Sequence, residues 1–182
     1  MKKNSLVILF IFLIFEAEAT IKNKIILSLE KTNNISFDFE QNINGKIENG
    51  SCILQYPKKI FCKYNLNNQK ILISNGNSLV IKTLTSFYLY PLSKTPLEFI
   101  LNKDFLLDKI SSLNERTIDN KFINYTFFEN ENEINIFFDR NNYNLIGWQT
   151  TDIYQNLSIT YISNINKNIN IKDNLFNLPN RN

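Results

Sequence analysis

The stretch GSCILQYPKKIFCKYN, residues 50–65, holds both cysteines of the chain and decides its fold. Strand-forming residues flank Pro57 and Lys58, which is typical of two β-strands joined by a tight turn. Cys52 and Cys62 are equidistant from Pro57, so such a turn places them opposite one another on one face of the hairpin. A disulfide between them is the favoured interpretation in an oxidising compartment, and two free buried thiols are the alternative.

Further short strands flank this hairpin along the chain. In the segment before it, Ile35, Phe37 and Phe39 alternate with polar residues, which is the pattern of a half-buried strand. The predicted strands are residues 35–40, 51–56, 60–65, 70–74, 79–83, 86–90, 121–129, 133–139, 144–151 and 155–163. Consecutive strands with short turns indicate an antiparallel sheet rather than a parallel α/β sheet.

Two amphipathic helices accompany the strands. The first covers residues 20–31, and the second covers TPLEFILNKDFLLDKI, residues 95–110, with Thr95 and Glu98 as a predicted capping box. The apolar positions at helical spacing are Ile21, Ile25 and Leu29 in the first helix and Leu97, Ile100, Leu101 and Phe105 in the second. These elements predict an α+β protein: an antiparallel unclosed β-barrel, made from a strongly curved sheet, with the helices covering the concave side as a lid.

The N-terminus has the features of a secretory signal peptide. Two lysines precede an apolar run from Leu6 to Phe15, and Ala17-Glu18-Ala19 supplies the small residues of a signal peptidase site. The run is about half of the ~20 residues that a membrane-spanning helix needs. We therefore expect residues 1–19 to be removed and residues 20–182 to form a single exported domain, soluble in a bacterial periplasm.

The composition argues against an enzyme. The chain has no histidine, which rules out a Ser-His-Asp or Cys-His nucleophile and removes the commonest metal ligand. Nine residues separate Cys52 from Cys62, which is neither the spacing of a redox motif nor that of a zinc site. With no glycine-rich phosphate loop in the sequence, we expect no catalytic residues, no metal and no cofactor. A net charge of +3 without a dense basic cluster argues against nucleic acid as a partner.

Five segments, taken in order, resemble the periplasmic outer-membrane lipoprotein carrier proteins, the LolA family. The segments are SFDFEQNI (residues 36–43), GSCILQYPKKIFCKY (50–64), ILISNGNSLVIK (71–82), YPLSKTPLEFIL (90–101) and LIGWQTTDIYQNLSITYISN (145–164). They resemble, respectively, the family's early aromatic strand, its proline-containing hairpin, its Asp-Gly segment, the Thr-Pro-Leu entry to its lid helix and its later tryptophan-containing strand pair. The resemblance extends over essentially the whole chain after residue 19.

The resemblance implies a function, partners and a set of residues. Members take acylated lipoproteins from an inner-membrane lipoprotein-releasing transporter, enclose their acyl chains and deliver them to an outer-membrane receptor. This chain is accordingly expected to be a monomeric periplasmic chaperone with those partners. The expected acyl-chain cavity contains Phe37, Phe39, Leu54, Tyr56, Ile60, Tyr64, Ile71 and Ile73. The expected lid contains Ile21, Ile25, Leu29, Leu97, Ile100 and Leu101.

One position departs from the family pattern. The family commonly has an arginine immediately before the hairpin proline, where it contacts the lid, and this chain has Tyr56 there. The charge is lost, but a tyrosine hydroxyl can still form a hydrogen bond to the lid.

Three other functions fit the same pattern. A receptor at the end of the same pathway shares the fold but is anchored through an N-terminal cysteine, and no cysteine lies near the predicted cleavage site. A periplasmic binding module for another lipid or a glycolipid would have a similar cavity, because an apolar cavity does not name its ligand. The aromatic strands can also be the plain core of an interaction domain.

Overall fold

The computed structural model describes residues 19–151 and 155–181. The predicted signal peptide lies outside these residues, except for Ala19. Within them, no helix is long and apolar enough to cross a bilayer. The described part contains α1 (Ile21–Glu30), α2 (Leu97–Leu101), α3 (Lys103–Ser112), a 3₁₀ turn (Leu92–Lys94) and the strands β1 (Asn34–Ile43), β2 (Lys46–Gln55), β3 (Lys59–Tyr64), β4 (Ile71–Asn75), β5 (Ser78–Lys82), β6 (Phe87–Pro91), β7 (Arg116–Ile118), β8 (Phe122–Glu129), β9 (Asn132–Asp139), β10 (Leu145–Thr151) and β11 (Leu157–Lys167).

These eleven strands of the described chain form one antiparallel sheet in the order β6-β5-β4-β3-β2-β1-β11-β10-β9-β8-β7. The pairing of β1 with β11 joins a first meander to a second. Because β6 and β7 are the two edges of this order, the sheet is unclosed. The prediction of a single antiparallel, unclosed sheet is confirmed. The pattern does not predict β7, since its three residues are too few to show an alternation.

One face of the sheet contacts the helices, and we call it the inner face. In β1 the residues that point to it are Ile35, Phe37 and Phe39, all buried, whereas Asp38 and Glu40 on the opposite side are not. The register extends this alternation across the sheet, because directly opposed residues point to the same face. One such row is Phe37, Cys52, Cys62, Leu72, Ile81 and Tyr88, running from β1 to β6.

The second predicted helix is wrong in two respects. It is divided at Asn102, whose backbone is extended and whose side chain accepts a hydrogen bond from the Phe105 N–H at 3.3 Å, so that Asn102 caps a new helix, α3. The capping box does not form, because the Thr95 hydroxyl donates to the Leu92 carbonyl at 2.9 Å. Glu98 instead forms an ion pair with Lys58.

The helices pack against the end of the sheet that carries the turn between β2 and β3, which we call the helix end. There the Lys58 N–H donates to the Leu101 carbonyl at 2.8 Å, which ties the turn to the end of α2. α1 and α3 contact each other, and their apolar residues join those of the sheet in one core. The helices are therefore an integral part of the core at this end.

The chain after β11 crosses the outer face of the sheet. The Lys59 ammonium lies 6.0 Å from the centroid of the Phe176 ring, and the Lys82 ammonium donates to the Asn180 carbonyl at 3.2 Å. Phe176 is buried. Part of the outer face of β3–β5 is thus covered by this segment, which allows apolar residues on both faces of these strands.

Candidate functional site

A cavity of about 470 Å³ lies on the inner face. Its size is within the range of about 300–1,000 Å³ that is typical of small-molecule sites. The row of opposed residues from Phe37 to Tyr88 forms part of the cavity wall. Trp148 of β10, in the second meander, also lines the cavity. The other apolar and aromatic residues of the wall are Phe39, Ile43, Ile60, Tyr64, Leu79, Tyr90, Pro96 and Leu97.

Aromatic contacts fix the shape of this wall. Phe37 and Trp148 meet edge to face, with ring centroids 6.3 Å apart, across the junction between the two meanders. Phe39 and Tyr64 form a second edge-to-face pair at 4.9 Å. Gly50 makes room for this pair, because a Cβ there would lie 2.1 Å from the Lys63 carbonyl oxygen and 2.9 Å from the Phe39 ring. The wall is therefore preorganised by packing between neighbouring strands.

Cys52 and Cys62 form a disulfide within the wall of the cavity. Their Cα atoms are directly opposed on β2 and β3 and lie 4.1 Å apart. A bridge over so short a loop stabilises the fold by about 3 kcal/mol in the chain-entropy description. The two sulfur atoms contribute apolar surface to the wall.

The two ends of the cavity differ in chemistry. At the helix end it is closed by Thr95, Pro96 and Leu97, the residues that lead into α2. At the other end, which we call the polar end, the wall contains Gln41, Lys46, Glu48 and Lys70, together with hydroxyl groups from Thr83, Thr150, Thr151, Ser158 and Thr160. The Lys46 side chain is 74% exposed, so the polar end opens to solvent.

Hydrogen bonds and ion pairs connect the groups of the polar end. Glu48 accepts from Lys46 at 2.9 Å and from Lys70. The Lys70 ammonium lies 4.1 Å from the centroid of the Tyr64 ring, and the Tyr64 hydroxyl donates to Gln41 Oε1 at 3.4 Å. The amide of Gln41 in turn donates to the Ser158 and Thr160 hydroxyls, at 3.0 and 3.1 Å.

Glu48 is buried, yet it remains ionised. Burial by itself raises the pKa of this carboxyl. The hydrogen bonds from Lys70 and Lys46 and the charges of these two lysines lower the pKa by more than burial raises it, so the net pKa lies below its usual range. A buried carboxylate between two ammonium groups is a fixed arrangement of charges beside an apolar wall.

Four of the eight residues predicted for the cavity line it: Phe37, Phe39, Ile60 and Tyr64. Leu54 and Tyr56 point to the inner face but are packed into the core at the helix end. The prediction is wrong for Ile71 and Ile73, because these two residues are opposed to Lys63 and Phe61 and so point to the outer face. Leu72, between them, lines the cavity.

Of the six predicted lid residues, Leu97 lines the cavity. Ile25, Leu29, Ile100 and Leu101 are at most 5% exposed and belong to the core, and Ile21 packs against that core. The helices fill the helix end of the inner face, where these residues pack among those of the strands. A movable lid over the cavity stays a prediction.

Several residues of the site were not predicted. Leu72, Leu79 and Ile81 were missed because apolar residues are continuous in β4 and β5, which hides their alternation. Glu48 and Lys46 were missed because the predicted strand begins only at residue 51, whereas β2 begins at Lys46. Lys70 was missed because a lysine at the end of a strand is ordinarily solvated.

The Tyr56 hydroxyl does not form the hydrogen bond to the helices that its position suggested. It is buried, and among the described residues it has no hydrogen-bond partner. Burial raises the pKa of this phenol. The contact with α2 is made instead by the neighbouring Lys58, through its backbone and its ammonium group.

We expect Tyr56→Phe to raise the free energy of unfolding by about 1 kcal/mol, because it removes a buried hydroxyl that lacks a partner. Chemical denaturation of the variant and the parent protein measures this change. Tyr64→Phe is the matched control and is expected to lower the free energy of unfolding, since that hydroxyl donates to Gln41. A loss of stability in Tyr56→Phe would show that its hydroxyl does have a partner.

The unclosed antiparallel sheet carries an apolar cavity of the kind that holds hydrophobic ligands. The family model described as outer membrane lipoprotein carrier protein LolA matches residues 30–179, and the chain belongs to this family. No curated protein sequence matches it.

Solved structures have a similar fold at low sequence identity. The chain is similar to an uncharacterised conserved protein from Thermus thermophilus, with a TM-score of 0.51, 6% identity and coverage of 86% of this chain and 93% of that chain. It is similar to MucB, with a TM-score of 0.50, 8% identity and coverage of 87% of this chain and 62% of that chain. A LolA superfamily protein from Nitrosomonas europaea matches with a TM-score of 0.45 and 8% identity over 88% of this chain and 99% of that chain.

Proposed function

We propose that the protein is a periplasmic chaperone that encloses the acyl chains of lipoproteins released from the inner membrane and delivers them to an outer-membrane receptor. The observation that carries this proposal is the apolar cavity on the inner face, in a member of the LolA family. In this proposal an inner-membrane transporter supplies the cargo, and the protein performs no chemical step.

The strength of binding to such a wall suits a carrier. Each buried methylene contributes about 0.8 kcal/mol, so about ten of them supply about 8 kcal/mol, the free energy of a micromolar Kd. These contacts have no preferred direction, and they can be exchanged for equivalent contacts in a receptor. Binding of moderate strength therefore allows the cargo to leave again.

The test is a release experiment with purified protein that starts at Thr20. Inner-membrane vesicles that carry an acylated lipoprotein are incubated with the protein and sedimented, and the supernatant is assayed for a complex. We expect the acylated lipoprotein in the supernatant and no complex with the same cargo lacking its acyl chains. Depletion of the protein in its host is expected to leave lipoproteins at the inner membrane.

Two results would contradict the proposal. Equal binding of acylated and non-acylated cargo would show that the acyl chain is not what is recognised. Binding of a free glycolipid, with no binding of acylated lipoprotein, would favour a module for another lipid.

A further inference from the structure

The polar end of the cavity holds charged groups that an acyl chain alone does not require. Lys46, Lys70 and Glu48 all line the cavity, and among the described lining residues they are the charged ones. Two ammonium groups share one carboxylate, so the polar end carries a net charge of +1, from two lysines and one glutamate. A cavity for hydrocarbon alone gains nothing from an excess positive charge at its rim.

The positions of the two lysines suit a ligand rather than only the stability of the fold. Lys46 is 74% exposed, and an exposed ion pair contributes little to stability. Lys70 is held in place by Glu48 on one side and by the face of the Tyr64 ring on the other. An ammonium group has three N–H donors, so each lysine can contact Glu48 and a ligand oxygen at the same time.

We infer that the cavity binds amphiphiles with an anionic head group, a carboxylate or a phosphate, placed against Lys46 and Lys70 while the acyl chain runs along Phe37 and Trp148 towards the helix end. The inference rests on the proposed acyl-chain cavity and adds the chemistry and the orientation of the head group. Charge-assisted hydrogen bonds to the two lysines favour an anionic head over a neutral one. An uncharged ester head can accept weaker hydrogen bonds from the same groups, so acylated cargo without a charge still binds.

The test compares ligands that share one hexadecyl chain and differ only in the head group. The probes are palmitate, hexadecyl phosphate, hexadecanol and hexadecyltrimethylammonium, each below its micelle concentration. Trp148 is the only tryptophan of the chain and lines the cavity, so its fluorescence reports binding. We expect at least one anionic probe to bind about tenfold more tightly than hexadecanol, and the cationic probe to bind least. The palmitate and hexadecyl phosphate arms distinguish a carboxylate from a phosphate.

Variants of the charged residues test whether the polar end causes the preference for anionic head groups. Lys46→Gln is expected to remove most of the advantage of the anionic probes and to change the affinity for hexadecanol by no more than about threefold, because the hydrogen bond to an uncharged head is weaker. Lys63→Gln is the matched control, because Lys63 is an exposed lysine on the outer face of β3 and its removal changes the net charge by the same amount. Glu48→Gln is expected to have the opposite effect to Lys46→Gln and to raise the affinity for the anionic probes.

The outcomes separate this inference from the proposed function. Equal affinities for anionic and neutral probes, or equal effects of Lys46→Gln and Lys63→Gln, overturn the assignment of the head group and leave the acyl-chain cavity intact. Failure of every probe to bind overturns the cavity itself and the proposed function with it.

Discussion

Leu72→Asp is expected to lower the affinity for an acyl chain by about a hundredfold or more. Leu72 is partly buried in the wall of the cavity, opposite Cys62. A bound chain would displace water from the new carboxylate, and the loss of hydration of an unpaired charge costs about 3 kcal/mol or more, which corresponds to that factor. Titration of the variant with an acylated peptide or with hexadecanol measures the change.

The adjacent residue provides a matched control. Ile71 is also partly buried, in the same strand, but it points to the outer face. Ile71→Asp introduces the same charge one position away, so we expect the affinity to change by no more than about threefold, or less than 1 kcal/mol. Equal losses in the two variants would show that β4 does not present Leu72 to the ligand.

The error over Ile71 and Ile73 has a physical cause. The stretch ILI, residues 71–73, is apolar at consecutive positions because the inner face of β4 lines the cavity while part of the outer face of β3–β5 is covered by the C-terminal segment. A strand with two covered faces loses the alternation that assigns residues to a side. The covering segment lies about a hundred residues later in the sequence, so no local pattern reveals it.

The exact centre of the turn between β3 and β4 decides which residues of β4 point to the inner face. Positions equidistant from Asn67 are opposed in the structure, as Cys62 and Leu72 are. This is the same reasoning that places Cys52 opposite Cys62 around Pro57, and it works in both turns because a short turn fixes the register. A turn centred half a residue later, between Asn67 and Asn68, would instead place Ile73 opposite Cys62, so the prediction of a turn at these two asparagines does not fix the phase of β4.

The cluster of charges at the polar end could not be predicted from the local sequence. Glu48 lies before the predicted strand 51–56, and its burial depends on Lys70, which comes from the connection before β4, and on Lys46 in β2. Only the pairing of β2 with β3 and of β3 with β4 brings Lys70 to Glu48. The disulfide and the contact between Phe39 and Tyr64, by contrast, lie within β1, β2 and β3, which are consecutive in the sequence, whereas the partner of Phe37, Trp148, comes from the distant strand β10.

Ile100→Asp is expected to lower the free energy of unfolding by more than about 4 kcal/mol, because it replaces a fully buried side chain and leaves an unpaired carboxylate in the core. Such a loss is a large part of the about 5–15 kcal/mol that stabilises a typical domain. Thermal and chemical denaturation of the purified variant are the measurements.

Leu97→Asp, on the same helix, tests whether α2 belongs to the core or acts as a movable lid. Leu97 is half-buried and lines the cavity, so this variant is expected to remain folded, with a change of about 1 kcal/mol, and to lose affinity for acyl chains. If α2 is instead a lid that opens as a unit, Ile100→Asp should also remain folded and should expose the cavity, with increased dye binding and faster proteolysis of the helix. The core interpretation requires the two substitutions to have different effects, because Ile100 contacts the protein whether or not a ligand is present, whereas Leu97 faces the space that the acyl chain occupies.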